Sequence, residues 1–299
     1  MNSRQLGDFR IHALEAGTQR LDGGAMFGVV PKPLWERRIP ADERNRIPLA
    51  MRCLLVETPQ TLVLIETGLG NKEDPKFQSI YGVENQGSPD QLQDQIRAAG
   101  FAPDDVEVVI NTHLHFDHAG GNTYRDAEGQ LRLSFPAARY HVQRAEWEWA
   151  HTTNERTQAS YLAHNFEPVL ADGRWKFLEG EAEVLPGISV LPTPGHCPGH
   201  QSVLVQSRGE TACFMGDLVP TFAHLPLPWI MGYDVEPLVT LEAKRALLRR
   251  AISERLLLVS VHDPHTAWGE ATGNESKTVL ENAVDAAGYG AASTPSVTQ

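Results

Sequence analysis

Short apolar runs alternate along this chain with polar stretches that contain glycine and proline. Runs that are short and rich in Val, Ile and aromatic residues predict buried strands, whereas longer runs with a helical repeat predict helices. The predicted strands cover residues 8–16, 51–57, 61–66, 106–110, 138–142, 172–179 (an edge strand), 187–192, 202–206, 211–215 and 256–261, the last of the chain. The predicted helices cover residues 91–100, 143–151, 156–165 and 237–250.

Two sets of strands, each flanked by helices, are typical of layered α+β proteins, and they predict a four-layer αββα sandwich. The chain has 299 residues and 41% hydrophobic content, so it can bury a large core without disulfide support. We predict a single domain over residues 1–287 and a small polar C-terminal tail over residues 288–299.

Two segments outside the predicted elements are too apolar for solvated linkers. One lies at residues 21–36, within an irregular stretch from 17 to 49, and the other at residues 220–233. Long apolar loops in a compact domain tend to be functional lids, although ordinary core filling is the alternative. We predict that they form a substrate pocket. Its candidate residues are Met26, Phe27, Phe222, His224, Trp229 and Tyr233.

A cluster of metal-binding residue types follows the predicted strand 106–110. Residues 111–121 contain His113, His115, Asp117 and His118. In an extended loop the two histidines of a His-x-His pair point the same way, while the adjacent Asp and His diverge, so one segment can supply two metals. Imidazole suits Zn²⁺, and a carboxylate compensates the charge of a second ion.

This run is similar to the signature of the metallo-β-lactamase-fold hydrolases. The similarity continues in the family's order with Thr193-Pro194-Gly195-His196, Gly216-Asp217 and His262-Asp263. The resemblance implies two metal sites with seven protein ligands. One site would use His113, His115 and His196; the other would use Asp117, His118 and His262; and Asp217 would bridge the ions.

The same resemblance assigns supporting roles. Glu66, where the family usually has Asp, is expected to orient a ligand histidine through a hydrogen bond without binding the metal itself. Cys197 could also bind zinc, but its thiol points away if the neighbouring His196 points in. The expected cofactors are two divalent ions, with Zn²⁺ first and Mn²⁺, Co²⁺ or Fe²⁺ as alternatives. A hydroxide that bridges them would attack the substrate, and Asp117 is the catalytic candidate that orients it and moves the proton.

Within the family, residues 193–204 and His262-Asp263 look most like the N-acyl-homoserine-lactone lactonases, the quorum-quenching enzymes, and the methyl-parathion-hydrolase branch. The resemblance implies a dinuclear zinc hydrolase of lactones or esters that extends to aryl esters and phosphotriesters. The pattern departs at Pro220, where such lactonases carry a tyrosine that contacts the substrate; His224 and Tyr233 are the two candidates to replace it. The alternatives are a glyoxalase II-type thioesterase and an iron-containing redox member of the fold.

Charge and cysteine content narrow the partners. The formal net charge of −12 disfavours nucleic acid, which requires clustered Lys and Arg. The polar N-terminus, the absence of a membrane-length apolar window and an odd number of cysteines, 3, favour a cytoplasmic protein without a membrane partner. The expected partner is a small-molecule substrate with an apolar group. The oligomeric state stays open, with a homodimer as one option.

Overall fold

The computed structural model describes residues 1–85, 90–274 and 277–286. In chain order the strands of this described part are β1 (Asn2–Leu6), β2 (Phe9–Asp22), β3 (Arg46–Glu57), β4 (Leu62–Ile65), β5 (Val106–Ile110), β6 (Thr123–Arg125), β7 (Leu131–Leu133), β8 (Arg139–Gln143), β9 (Trp175–Leu178), β10 (Ala182–Leu185), β11 (Ile188–Pro192), β12 (Gln201–Ser207), β13 (Glu210–Phe214), β14 (Leu257–Val259), β15 (Thr266–Asn274) and β16 (Lys277–Asp285). The α-helices are α1 (Gly23–Phe27), α2 (Lys32–Trp35), α3 (Pro75–Tyr81), α4 (Gln91–Ala98), α5 (Phe116–Ala119), α6 (Arg144–Ala150), α7 (Glu167–Ala171) and α8 (Pro237–Glu254).

The strands form two large sheets and one small hairpin. The first sheet has the order β1-β2-β3-β4-β5-β8-β9, and the second has the order β10-β11-β12-β13-β14-β15-β16. The hairpin pairs β6 with β7. Pairing is antiparallel from β1 to β4 and parallel from β4 through β9, whereas in the second sheet only β13 and β14 are parallel.

The central strands bury both of their faces, which explains why the sequence shows them as continuous apolar runs. Leu54 of β3 and Val63 of β4 lie in the core between the two sheets. The adjacent residues Leu55 and Leu64 point the opposite way, into the core shared with α4, as the two-residue repeat of a strand requires. On the far side of the second sheet, α8 contributes Leu247 to a third core. The predicted αββα sandwich is confirmed.

The predicted irregular stretch from 17 to 49 is wrong at both ends. β2 continues to Asp22 and β3 already begins at Arg46, and the two extensions pair with each other. A register shift between Glu15 and Thr18, with Gly17 at a φ of 128°, interrupts the alternation that would have indicated one long strand. This extension brings residues of β2 to the edge where the site lies.

Other predicted elements need correction. The predicted helix 156–165 contains only a 3₁₀ turn at Ala163–Asn165, because the segment turns around Asn154 and its Ser160 carbonyl accepts a hydrogen bond from Phe116 N–H. Helix α3, capped by Asp74, lies between predicted elements and was not expected from the sequence. The strand predicted at 256–261 is β14, and it is not the last, since the glycine-containing β15 and the largely exposed β16 follow it.

The predicted tail 288–299 lies outside the described residues. No described helix is both long enough and apolar enough to cross a bilayer.

Candidate metal centre

Loops at one edge of the sandwich bring the predicted metal-binding side chains together. They follow β5, β11, β13 and β14, the strands that carry the four sequence motifs. His113, His115 and His196, here called the three-histidine group, each offer a ligand atom within 4.8 Å of the others. Asp117, His118 and His262, called the mixed group, do the same. Each group therefore brings its three side chains within reach of one another at this edge.

Asp217 lies between the two groups. Its Oδ2 is 3.2 Å from His196 Nε2 in the three-histidine group. Its Oδ1 is 3.2 Å from His262 Nε2 and 3.6 Å from His118 Nε2 in the mixed group. One carboxylate therefore contacts both groups, the arrangement that a bridging ligand requires.

The backbone of Asp217 is held by His200. Asp217 N–H donates to His200 Nε2 at 3.0 Å, and His200 Nδ1 lies 3.0 Å from the carbonyl oxygen of Thr193. Gly216 has a φ of 56°, and a Cβ there would lie 2.6 Å from His200 Nε2. Glycine is needed at this position because the turn must pass directly over the imidazole.

Side chains from loops hold the rings of the three-histidine group. His113 Nδ1 is 2.9 Å from Thr112 Oγ1, and His196 Nδ1 is 2.9 Å from Asp234 Oδ1. The His115 ring meets the Tyr161 ring edge-on, with centroids 4.7 Å apart. A partner on the far nitrogen fixes the orientation of a ligand imidazole, so these contacts aim the remaining nitrogens at one point.

The mixed group is held from the other side by the β2–β3 hairpin. Gln19, fully buried in β2, donates from Nε2 to Asp117 Oδ2. His262 Nδ1 lies 2.7 Å from the carbonyl oxygen of Ala50 in β3. The backbone N–H of Ala50 donates to the His262 carbonyl at 3.0 Å. The ligand loop after β14 is therefore hydrogen-bonded to the first sheet.

Arg52 completes this support and is fully buried. Its Nε donates to Glu15 Oε1 at 2.9 Å, and its Nη1 and Nη2 donate to the carbonyls of Ser260 and Asp263 at 2.7 and 3.0 Å. These carbonyls flank His262 along the chain. Burying a guanidinium is unfavourable unless its donors are satisfied, and here they are satisfied by the loop that carries a ligand.

Glu66, predicted to support a ligand histidine, lies beside His118 and the His113 loop. Its Oε1 accepts from Thr112 N–H at 2.9 Å and lies 3.6 Å from His118 Nδ1. Its φ of 66° is unusual for a residue with a side chain, and such strain persists where the surroundings fix the conformation.

The ligand histidines differ in electrostatic character. For His196, burial lowers the pKa, but the carboxylates of Asp217 and Asp234 outweigh it and raise that pKa. Burial, followed by neighbouring histidines, lowers the pKa values of His113 and His115 well below the ordinary value, so both rings are neutral and able to bind a cation. For His118, burial acts in the same direction, but the carboxylates of Asp117, Asp217 and Glu66 outweigh it and raise its pKa well above the ordinary value. A concentration of negative charge that favours a proton here also favours a metal ion.

The residues present fit divalent metal ions. His113 Nε2 and Asp217 Oδ1 are buried and have no hydrogen-bond partner within the described part of the chain. His118 Nε2 and His262 Nε2 face each other at 3.2 Å, and so do His115 Nδ1 and His196 Nε2 at 3.1 Å. Imidazole nitrogens that converge on one point with carboxylates are the donor set of zinc sites.

A cavity of about 420 Å³ opens above these residues. Its wall includes two of the predicted pocket residues, Met26 and Tyr233. Leu21 and Met231, from the two segments predicted to form the pocket, also line it, as do residues that sequence reasoning missed, namely Tyr81, Phe116, Arg156, Thr157, Ser160 and Val235.

Four predicted pocket residues do not line this cavity: Phe27, Phe222, His224 and Trp229. Phe27 is fully buried, stacked on His224 with centroids 4.4 Å apart and met edge-on by Trp229. His224 Nε2 lies 2.8 Å from the Met26 carbonyl, and burial lowers the pKa of His224 to about 3. Phe222 packs beside the α8 core. These residues fill the space behind the wall, so His224 does not replace the missing tyrosine hydroxyl.

The supporting residues were also missed. Arg52 did leave a signal, because it is a charged residue within the largely apolar predicted strand 51–57, whereas Gln19 lies outside the predicted strand 8–16. Asp234 and Glu146 follow no motif that would set them apart. Cys197 lies against Glu146 rather than joining either ligand group.

Comparison with known proteins identifies the family. The model of the metallo-beta-lactamase superfamily matches residues 48–262, which include all seven converging side chains. The chain belongs to this superfamily. It shares 30% identity with a solved probable metal-dependent hydrolase from Staphylococcus aureus, with a TM-score of 0.84 over 94% of this chain and 100% of that one.

Two other proteins similar to this chain carry lactonase names. An N-acyl homoserine lactonase from a Bacillus species is 35% identical over 168 residues, which are 54% of this chain and 60% of the relative. The match therefore spans less than two thirds of that curated lactonase. A solved N-acyl homoserine lactone hydrolase with N-hexanoyl-L-homoserine bound at its catalytic metal centre is 25% identical, with a TM-score of 0.65 over 87% of this chain and 94% of that one.

Proposed function

We propose that this protein is a metal-dependent hydrolase of the lactonase type, which opens the ring of N-acyl homoserine lactones or cleaves related esters. The observation that carries the proposal is the position of both ligand groups at the floor of a cavity with a largely apolar wall. The sequence similarity to N-acyl homoserine lactonases supports the choice of substrate class. Two ions are expected, and the imidazole-rich donor set favours Zn²⁺.

Two divalent ions held by these residues would polarise the substrate carbonyl and lower the pKa of water toward neutrality. The residues of the chain have their own tasks. Asp117 would orient the attacking water, accept its proton and pass it to the leaving oxygen. Gln19 holds Asp117 Oδ2, which fixes the direction in which the carboxylate presents its other oxygen. The product of lactone opening would be a hydroxy acid.

The cavity wall supports the proposal that the substrate carries an apolar group. Leu21, Met26, Phe116, Met231 and Val235 line it, and its volume lies within the range of roughly 300–1,000 Å³ typical of small-molecule pockets. Each methylene of an acyl chain buried there contributes about 0.8 kcal/mol, or roughly fourfold in kcat/KM, until the wall is fully covered.

Hydroxyl groups are also available at the position of the substrate. Tyr81 and Tyr233 both line the cavity, from α3 and from the loop before α8. Burial raises the pKa of Tyr233 to about 12, so its hydroxyl is a neutral donor at physiological pH. We propose that Tyr233 takes the role of the tyrosine that Pro220 replaces.

The test is a substrate panel on protein that has been stripped of metal and reconstituted with Zn²⁺. It should contain homoserine lactones of increasing acyl length, aryl esters, a phosphotriester and a thioester. Lactones should give the highest kcat/KM and show the chain-length trend. Met231→Ala should flatten that trend, whereas the matched control Leu238→Ala, at an exposed site on α8, should leave it unchanged.

Other results would replace the proposal. Preference for the thioester would indicate a thioesterase. Preference for the phosphotriester would indicate an enzyme of the methyl-parathion-hydrolase type. Iron found by elemental analysis in protein purified without added metal, together with no hydrolysis, would favour a redox protein. Equal activity before and after metal removal would contradict metal dependence itself.

A further inference from the structure

A buried carboxyl group that belongs to neither ligand group lies beneath the three-histidine group. Glu146 is in the first turn of α6 and is fully buried. Burying a carboxylate is unfavourable unless hydrogen bonds compensate the loss of water. The partners of this group therefore indicate what its burial achieves.

The first partner is the loop between two histidines of the group. Leu114, the residue between His113 and His115, donates its backbone N–H to Glu146 Oε1 at 3.0 Å. In a loop that is not part of a helix or sheet, one such bond fixes the peptide plane. Both adjacent histidines depend on that plane for their direction.

The second partner is the ring that packs on His115. Tyr161 donates its hydroxyl hydrogen to the same Oε1 at 2.9 Å, and the Tyr161 ring meets the His115 ring edge-on. Aromatic pairs hold their relative orientation when one ring is anchored at its polar end. Glu146 supplies that anchor.

The third contact reaches the turn that carries His196. The Cys197 thiol lies against Glu146, and burial followed by the charge of Glu146 raises the pKa of the thiol well above its ordinary value. Two residues on, a Cβ at Gly199 would lie 2.1 Å from the Glu146 backbone nitrogen. The turn therefore sits directly on the start of α6, and only glycine permits that distance.

We propose that Glu146 is the positioning residue of the three-histidine group, because it fixes the His113–His115 loop, the ring against His115 and the turn of His196 from a single buried point. The inference rests on the metal-binding part of the proposed function. It deepens that proposal by assigning Glu146 to one group and not to the other, since none of its contacts described above involves Asp117, His118 or His262.

The test measures Zn²⁺ affinity without substrate, by titration of metal-free protein in competition with a chromophoric chelator. In a His262→Ala background, which damages the mixed group, Glu146→Ala should weaken binding at the three-histidine group about 10- to 100-fold. In a His196→Ala background, which damages the three-histidine group, Glu146→Ala should change the remaining affinity less than about threefold.

Two variants calibrate the result. Glu146→Gln retains an oxygen that can accept both hydrogen bonds, so it should stay within about threefold of the unsubstituted affinity, roughly the value of one neutral hydrogen bond. Glu148→Ala, at an exposed position of the same helix, should affect neither group. Thermal unfolding of the metal-free variants shows whether each one folds.

If Glu146→Ala does not fold, Tyr161→Phe tests the same point, since it removes one hydrogen bond and keeps the ring. It should weaken only the three-histidine group, by roughly two- to tenfold. Equal weakening of both groups, or a loss in Glu146→Gln as large as in Glu146→Ala, would overturn the inference. If the unsubstituted protein binds no Zn²⁺ at all, it is the proposed function that fails.

Discussion

The three-histidine group is supported by side chains from loops and from α6, whereas the mixed group is supported from the interior of β2 and β3. Thr112, Asp234 and Tyr161 touch the histidines of the first group directly. For the mixed group the support comes from Gln19 in β2 and from Ala50 and Arg52 in β3. Glu66 contacts both Thr112 N–H and His118, but the other supports of the two groups come from different parts of the fold.

This difference predicts how each group responds to substitution. Sites built on strands are held more precisely than sites built on loops, but their supports are also part of the core. Disturbing the support of the mixed group should therefore lower both metal affinity and the stability of the fold. Disturbing a loop support of the three-histidine group should lower metal affinity with little change in stability. The following predictions test that distinction.

The largest effect is expected at Asp217, the residue that the two groups share. Asp217→Asn removes the negative charge that faces His196 on one side and His118 and His262 on the other. Both Zn²⁺ affinities and kcat should fall by more than about 100-fold, beyond the usual loss for a supporting residue. Chelator competition and steady-state kinetics measure this. Loss at only one group would show that Asp217 is not shared.

The sequence indicated the ligands far better than their supports. The ligands follow strand ends in motifs whose residue types are chemically distinctive, as in His113-x-His115. Gln19 was not predicted because the register shift near Gly17 interrupts the alternation of the strand that carries it. Its hydrogen bond to Asp117 also joins two residues that are 98 positions apart in the sequence. Phe27 was predicted to face the substrate, but hydrophobicity alone does not distinguish a pocket wall from the core behind it. Such long-range pairing is visible only in the folded chain.

The next largest effect is expected at Arg52. Arg52→Ala leaves the Glu15 carboxylate buried without its partner and frees the carbonyls that flank His262. Breaking a buried ion pair costs about 3–5 kcal/mol of unfolding free energy. Zn²⁺ affinity at the mixed group should fall with it, by at least about tenfold. Urea unfolding of metal-free protein and chelator competition measure the two effects.

A surface pair provides the control for Arg52. Arg4→Ala removes a half-exposed ion pair with Glu270 and should cost less than about 1 kcal/mol, with both metal affinities unchanged. If Arg52→Ala weakened the three-histidine group as much as the mixed group, its role would be general stability rather than support of His262.

A smaller effect is expected at Gln19. Gln19→Leu has nearly the same size but cannot donate to Asp117 Oδ2. Affinity at the mixed group and kcat should each fall about tenfold, because the carboxylate loses its fixed orientation. Gln5→Leu, on the exposed face of β1, is the matched control. A change in KM alone, with kcat and both affinities intact, would place Gln19 in substrate binding instead.

The smallest effect, and the sharpest test of independence, is expected at Asp234. In the unsubstituted protein His196 Nδ1 lies 2.9 Å from Asp234 Oδ1. Asp234→Asn retains an oxygen that can accept this hydrogen bond, but it removes the negative charge that makes the imidazole a better electron-pair donor to a metal ion. Affinity at the three-histidine group should fall by about tenfold or less, because the orientation survives. Asp234→Ala removes both the hydrogen bond and the charge, so the affinity of the three-histidine group should fall further in this variant. In each variant the mixed group and the urea midpoint should stay unchanged, since Asp234 supports a ring from a loop and not from a sheet. A parallel loss at the mixed group would mean that the two groups are coupled through Asp217, and the separation of their supports would then have no functional consequence.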